Sequence, residues 1–313
     1  MEKQEKLNEN ELAQGIYLSG TPIFKLSAVA VLIMAFAFFM NFPFEEKVKS
    51  SIVSAIKKNK SCPVSYTNLD LDFFLQPTLN FKNMNIPGAC LGNRRSPGLD
   101  FDKFNLVLKR PTVLPPGMLF SAKAVNSSSD LNIFATAGIG SAIIRIEKSQ
   151  VAGSLITSAA NLPVNIKGSL SVDALIESDY KVPTGGSFHI TSKDLNLPPQ
   201  RIVILDIKGL SLAPLVLKGS MEEGVVKLQR LQIGNSTTKI EAIFTDGTIK
   251  INKINPKRHM VDLEGRVRLS EEFLKEFPVL GLYQPFQKAS MDKNGFYRIQ
   301  LKGPIGKLRP NFL

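Results

Sequence analysis

The sequence contains no tryptophan and has only two histidines and two cysteines in 313 residues. His189 and His259 each lie in a strand-like stretch, without partners at the spacing of a metal site, so both are expected to be surface or packing residues. A phosphate loop, a dinucleotide fingerprint and a nucleophile elbow are also missing. The sequence therefore predicts a protein that is not an enzyme and has no cofactor or metal.

Asp70 and Asp72 resemble a carboxylate pair, because residues two apart on a strand lie on the same face. Without a third ligand they are predicted to be the solvent side of that strand. The formal charge is +12, and the basic excess lies beyond residue 25. No zinc-finger spacing, basic helix with heptads or RNP-like run accompanies it, so lipid surfaces or acidic proteins are expected as partners, and nucleic acid is not.

A long apolar run occupies residues 22–43, with a polar tail at 1–21 before it. Apolar residues occur on every side of a helix built from this run, including Leu26, Val29, Leu32, Ile33, Phe36 and Phe39. About 20 residues suffice to cross a bilayer, so the run predicts a single-pass membrane anchor. A cleaved signal peptide and a buried core helix are the alternatives, and the acidic tail and uniform composition disfavour them.

The lysines beside the anchor do not settle its orientation. Lys25 lies near the N-terminal end of the run, whereas Lys47, Lys49, Lys57, Lys58 and Lys60 follow the run. A literal positive-inside count would place the large part of the protein in the cytoplasm. That rule is weak for long translocated domains, so the opposite orientation stays open.

Residues 44–60 predict an amphipathic helix. Its apolar stripe is Phe44, Val48, Ile52 and Ile56, with acidic residues at the start and lysines at the end, as the helix dipole favours. This helix is expected to lie on the membrane, to plug the near end of the following domain, or to pack simply as part of the fold.

From residue 61 to 313 the pattern changes to alternation, with more than a dozen short strands between turn residues. The sequence therefore predicts a mainly β domain with a long antiparallel meander. Separate strands are expected at Thr238–Thr245 and Thr248–Ile254, and one further helix at Ser270–Phe277. A single curled sheet would leave apolar faces lining a groove, whereas a β-sandwich would bury them against a second sheet; alternation does not distinguish these folds.

The two cysteines, Cys62 and Cys90, bracket a short segment of this domain. An even pair in a β-rich domain is compatible with a disulfide in an oxidising compartment. Two buried free thiols are equally compatible with the sequence.

The order of these features resembles a known family. After the tail and anchor comes the step Phe42-Pro43-Phe44-Glu45 into the amphipathic helix; the chain closes with a strand at Phe296–Lys302 and with Gly303-Pro304-Ile305-Gly306-Lys307-Leu308-Arg309-Pro310. This layout is similar to the type II secretion system protein N (GspN) family and, more broadly, to AsmA-like proteins. The resemblance covers residues 23 to 313.

The resemblance implies a single-pass inner-membrane protein with most of its mass in the periplasm. It also implies an accessory role in type II secretion, through contacts with the inner-membrane platform or the secretin. The alternative that it implies is AsmA-like lipid binding or lipid transfer, with phospholipid in an apolar β-groove. The family has no catalytic residues to carry over, and the lysines after the anchor depart from a simple periplasmic topology.

Overall fold

The structure is a computed structural model. It describes residues 31, 34, 44–73, 76–91, 97–113, 115–160, 162, 164–180, 183–202, 205–252, 258–278 and 291–313. The predicted tail and the anchor residues Leu26, Val29, Leu32, Ile33, Phe36 and Phe39 lie outside these residues. Val31 and Met34 are both helical and exposed. Within the described part of the chain, no helix has both the length and the apolar composition to cross a bilayer.

The chain divides into two compact units, Met1–Ser54 and Ala55–Leu313. Helices and strands follow in this order: α1 Phe44–Lys58, β1 Asn68–Asp72, β2 Thr78–Ile86, a 3-10 helix Gly88–Leu91, β3 Leu99–Val113, β4 Pro116–Asn126, β5 Ser129–Gly138, β6 Ala142–Ala152, α2 Gly153–Ala160, β7 Ser169–Ser178, β8 Pro183–Ser192, β9 Asn196–Leu197, β10 Gln200–Ile202, β11 Leu205–Ile207, β12 Leu210–Ser211, β13 Leu215–Glu222, β14 Val225–Ile233, β15 Ile240–Lys250, β16 Met260–Leu269, α3 Glu271–Glu276, β17 Tyr297–Pro304, a 3-10 helix Ile305–Lys307 and β18 Arg309–Phe312.

Helix α1 occupies most of the range predicted for the amphipathic helix and ends at Lys58, two residues before the predicted end. Val48, Ile52 and Ile56 are half-buried, whereas Glu46 is exposed. The last turn carries Lys57 and Lys58, where positive charge is favourable for the helix dipole.

One antiparallel sheet of 14 strands forms the second unit, so the predicted mainly β meander is confirmed. Every strand pairs with its neighbours in sequence, except that β8 pairs with β13 across an insertion. The insertion holds two ribbons of two strands each, β9 with β12 and β10 with β11. Strands β1 and β18 are the two edges and do not pair with each other, so the sheet is open. The described residues thus form a single sheet with small ribbons, not the two packed sheets of a sandwich.

The edge strand β18 contains Pro310, which has no backbone N–H. Leu313 donates its N–H to the carbonyl of Arg298, and antiparallel hydrogen bonds alternate along the pair. The nitrogen of Pro310 therefore faces the free edge of the sheet instead of β17.

A disulfide joins Cys62 to Cys90 across a sequence separation of 28 residues. Ser65 pairs with Asn85 just beside it, so the segment after α1 and the end of β2 run side by side. The disulfide therefore ties the chain leading from α1 to the sheet.

Replacing both Cys62 and Cys90 by serine is expected to lower the free energy of unfolding by about 3 kcal/mol, because a cross-link of this loop length restricts the unfolded chain. Urea unfolding of the wild type, with and without reductant, measures this loss. Reductant should destabilise the wild type and leave the double variant unchanged. Two free thiols in protein isolated from cells would contradict the disulfide.

Asp194, in the insertion after β8, fastens that connection to the start of β7. Its carboxylate accepts hydrogen bonds from the backbone N–H of Ser169 at 3.0 Å and from the hydroxyl groups of Ser192 and Ser169 at 3.2 and 3.3 Å. The Ser169 N–H is the main reason that the pKa of Asp194 lies below its usual value.

An Asp194→Asn variant is expected to lose stability at neutral pH and to match the wild type in strong acid. A carboxyl group with a lowered folded-state pKa stabilises the fold above its unfolded-state pKa, and that stability is lost as the pH falls through the folded-state pKa. Urea midpoints at a series of pH values test this. A constant difference between the two proteins at every pH would contradict it.

Candidate binding face of the sheet

Residues that pair in register lie on the same face of a sheet, so the register separates the two faces of all 14 strands. One row of paired residues crosses the whole sheet and contains no polar side chain. It runs through Leu71, Leu79, Leu106, Ala122, Ile133, Ile146, Ala174, Phe188, Gly219, Leu228, Gly247, Leu263, Leu301 and Pro310. We call the face that carries this row the apolar face.

The opposite face is polar along most of the sheet. A neighbouring row from β6 to β17 contains Arg145, Leu175, Ser187, Ser220, Lys227, Thr248, Asp262 and Lys302. Lys227 pairs with Glu222 and Lys302 pairs with Asp262, at 2.9 and 3.0 Å between nitrogen and oxygen. Charge is thus concentrated on one side of the sheet, which leaves the other side without a strongly hydrated group.

Among the described residues, the strands contact mainly their sheet neighbours, and α2 contacts β3 and β6. Near the ends of β4 and β6, Ala124 and Val151 are buried. Farther along the strands, the apolar residues of β4 to β8 are only half-buried, among them Phe120, Ile144 and Ile176. We call the apolar face of β3 to β8 and β13 the open part.

Small side chains widen the open part. The apolar face of β4 to β7 carries Ala122, Ala135, Ala137, Ala142 and Ala174 between its larger residues. A methyl side chain stands only a short distance above the backbone. The face therefore has shallow positions between isoleucine and phenylalanine side chains, which gives room for a flexible apolar chain.

The apolar face of β14 to β18 is different because its own residues bury it. Leu228, Ala242, Phe244, Val261, Leu263, Tyr297 and Ile299 form a buried cluster, with further apolar residues of β13 to β18 packed around it. Phe244 and Leu263 are 4% and 8% exposed. We call this region the closed part; Leu69, Leu71 and Phe81 form a second buried region of the sheet, at β1 and β2.

Two cavities of about 430 and 400 Å³ lie elsewhere. Polar-face residues line most of the first, which includes Asp173, His189 and Lys218; the second includes Arg266 and Arg298. The first holds the charges of Arg145 and Glu147, which pair at 3.5 Å. In the second, the pKa of Asp292 is lowered chiefly by the backbone N–H of Phe296 and further by the two arginines. Each cavity mixes charges of both signs and shows no preference for one class of ligand.

The residues singled out for possible chemistry are spread over the sheet. His189 is exposed on the polar face, and His259 is half-buried, with its Nδ1 accepting the backbone N–H of Asn252 at 2.9 Å. Asp70 and Asp72 are exposed on the face opposite Leu69 and Leu71. The described residues contain no group of three or more potential metal ligands.

No family model, curated protein or solved structure matches this chain. The candidate site therefore stands on its own geometry. Its residues could have been found from alternation strand by strand, but the division into an open and a closed part could not, because it depends on which side chains fold over their neighbours.

Proposed function

We propose that this protein is a membrane-anchored lipid-binding protein whose open part holds acyl chains. The observation that carries the proposal is the uninterrupted apolar row across 14 strands, with half-buried residues along the open part. A continuous apolar surface that is only partly covered marks an interaction site in a soluble domain.

An acyl chain suits this surface better than a protein partner does. It carries no hydrogen-bonding group, and the side chains of the open part offer almost none in return. Each methylene group moved from water to an apolar surface contributes about 0.8 kcal/mol. Protein interfaces, in contrast, place polar and hydrogen-bonding residues around an apolar centre.

The location that we propose is the inner membrane, with the β unit in the periplasm. The predicted anchor at residues 22–43 would keep the sheet beside a bilayer, and the disulfide between Cys62 and Cys90 is consistent with an oxidising compartment. The resemblance to AsmA-like proteins favours the same arrangement. Alkaline phosphatase fused after Leu313 should be active in cells, and an inactive fusion at normal expression would reverse the orientation.

Photo-cross-linking in cells tests the lipid proposal. Ile143 and Ile144 are adjacent on β6, are both half-buried and lie on opposite faces. With phospholipid labelled by radioactive phosphate, a photo-reactive residue at position 144 should capture lipid, and one at position 143 should not. Equal labelling at both positions, or none at 144, would refute the proposal.

The role in type II secretion stays a prediction of the resemblance. It requires contacts with the inner-membrane platform or the secretin, which cross-linking in cells would capture. Contacts with these proteins would not account for lipid captured at position 144. The two experiments therefore test the two roles separately.

A further inference from the structure

On the apolar face, burial differs between β3 to β8, where the residues of the row are half-buried, and β14 to β17, which carry a buried cluster. Ile133, Ile146 and Ala174 are half-buried, whereas Leu228 and Leu263 are 6% and 8% exposed. All these residues lie on the same face, so the change reflects what covers them and not which way they point.

Bulky side chains lie flat across the closed part. A Cβ atom built on Gly265 would meet the ring of Phe244, and one built on Gly247 would meet the side chain of Leu263. Both glycines belong to the apolar face, paired in register with these same residues. Phe244 and Leu263 therefore occupy the space above neighbouring strands, as Phe188 does over Gly219 where the open part ends at β13.

The last two strands complete the closure. The rings of Tyr297 on β17 and Phe312 on β18 pack edge to face, with centroids 6.1 Å apart and an angle of 89°. Leu301 and Leu308 pack against the same buried cluster. The apolar face is thus already occupied by protein at the end of the sheet that lies farthest from β1.

We infer that the open part is a blind groove, that is, a groove closed at one end. Bound acyl chains stop at β13, and lipid does not pass along the apolar face of β14 to β18. This inference rests on the proposed lipid-binding function and adds how far along the sheet the bound lipid extends. At about 4.8 Å between strands, the open part is roughly 30 Å long, half of the roughly 60 Å that the whole sheet covers. That length equals the hydrocarbon thickness of one bilayer, about 30 Å, which two leaflets share, so the open part has room for about two acyl chains end to end.

A blind groove takes up and releases lipid on the same side. Such a protein extracts a lipid from a single membrane or presents a lipid to it. A protein that passes lipid along the whole sheet, in contrast, would need an accessible apolar surface from β1 to β18.

The test places the photo-reactive residue at four half-buried positions of the apolar face in the full-length protein: Ile144 and Ile176 in the open part, and Ile249 and Leu301 in the closed part. Labelled phospholipid should be captured at the first two positions and at least tenfold less at the last two. Lipid captured at Ile249 or Leu301 as strongly as at Ile144 would overturn the blind groove and leave the proposed function intact. No lipid at any position, or capture of the protein's own chain at Ile144, would remove the proposed function and this inference with it.

Single cysteines at the same positions give a second readout that needs no bulky group. The native cysteines are joined in the disulfide, so a new thiol is the only reactive one. Phospholipid vesicles should slow the reaction of Ile144→Cys with a thiol reagent. Ile249→Cys should react at the same rate with and without lipid; protection of both by lipid would contradict a blind groove.

Discussion

Replacing Ile144 by glutamate is expected to reduce the phospholipid that co-purifies with the protein at least tenfold. Ile144 lies on the apolar face of β6, in register with Ala135 and Ile176. A carboxylate there would be removed from water by a bound acyl chain, which costs several kcal/mol, and each 1.4 kcal/mol is about a tenfold loss of affinity. Lipid extracted from purified full-length protein and quantified per protein molecule measures the effect.

The matched control is Ile143→Glu, on the same strand and on the polar face, where its register partners are Thr136 and Glu177. This variant should keep the lipid content of the wild type. Both variants should retain the wild-type circular dichroism spectrum, because neither residue is fully buried. Equal losses of lipid in the two variants would show that the two faces do not differ in binding.

Truncating Phe244 to alanine is expected to lower the free energy of unfolding by about 3–5 kcal/mol, the usual cost of removing a buried aromatic side chain. Phe244 is 4% exposed and lies over Gly265 at the centre of the closed part. Its loss leaves a cavity that strands β14 to β16 can fill only by moving. Urea unfolding followed by circular dichroism measures the change.

Phe120→Ala in the open part is the comparison, because Phe120 has the same side chain on the same face but is only half-buried. Its loss should cost clearly less stability in lipid-free protein and should weaken lipid binding instead. If the two truncations cost the same stability, the open and closed parts would not be distinct.

Alternation was sufficient to predict most strands of the large sheet and the apolar side of each, because side chains on a pleated strand point alternately to its two sides. It did not predict how the strands associate. A half-buried pattern such as that of β6 looks the same in a sandwich and in a single sheet, since both have one apolar face per strand. Only long-range pairing, such as β8 with β13, decides the architecture.

Two local predictions differ from the structure for identifiable reasons. The strands expected at Thr238–Thr245 and Thr248–Ile254 are one strand, β15, because the register shift between Phe244 and Asp246, just before Gly247, is an irregularity within the ladder instead of a turn. A glycine is needed there because Leu263 lies over it. Alternation breaks at such a bulge as it does at a turn, so sequence alone does not separate the two.

Helix α2 was not predicted, and the helix at Ser270–Phe277 was. The sequence of α2, GSLITSAA, is short and has no charged residue in its first or last turn. Helix α3 carries clearer signals: the Ser270 hydroxyl accepts the N–H of Phe273, and Glu271 and Glu272 occupy the first turn. A short helix without a cap is specified by its surroundings, here by contacts with β3 and β6.

Pro310 has a consequence for how the protein behaves among copies of itself. An open sheet with a regular edge is a template on which another chain can add a strand, and this leads to aggregation. At β18 the position that faces outward has no donor to offer an incoming strand, so a complete ladder cannot form there. The proline thus limits the addition of a strand from another chain at this edge. The sheet can therefore remain open without growing at β18.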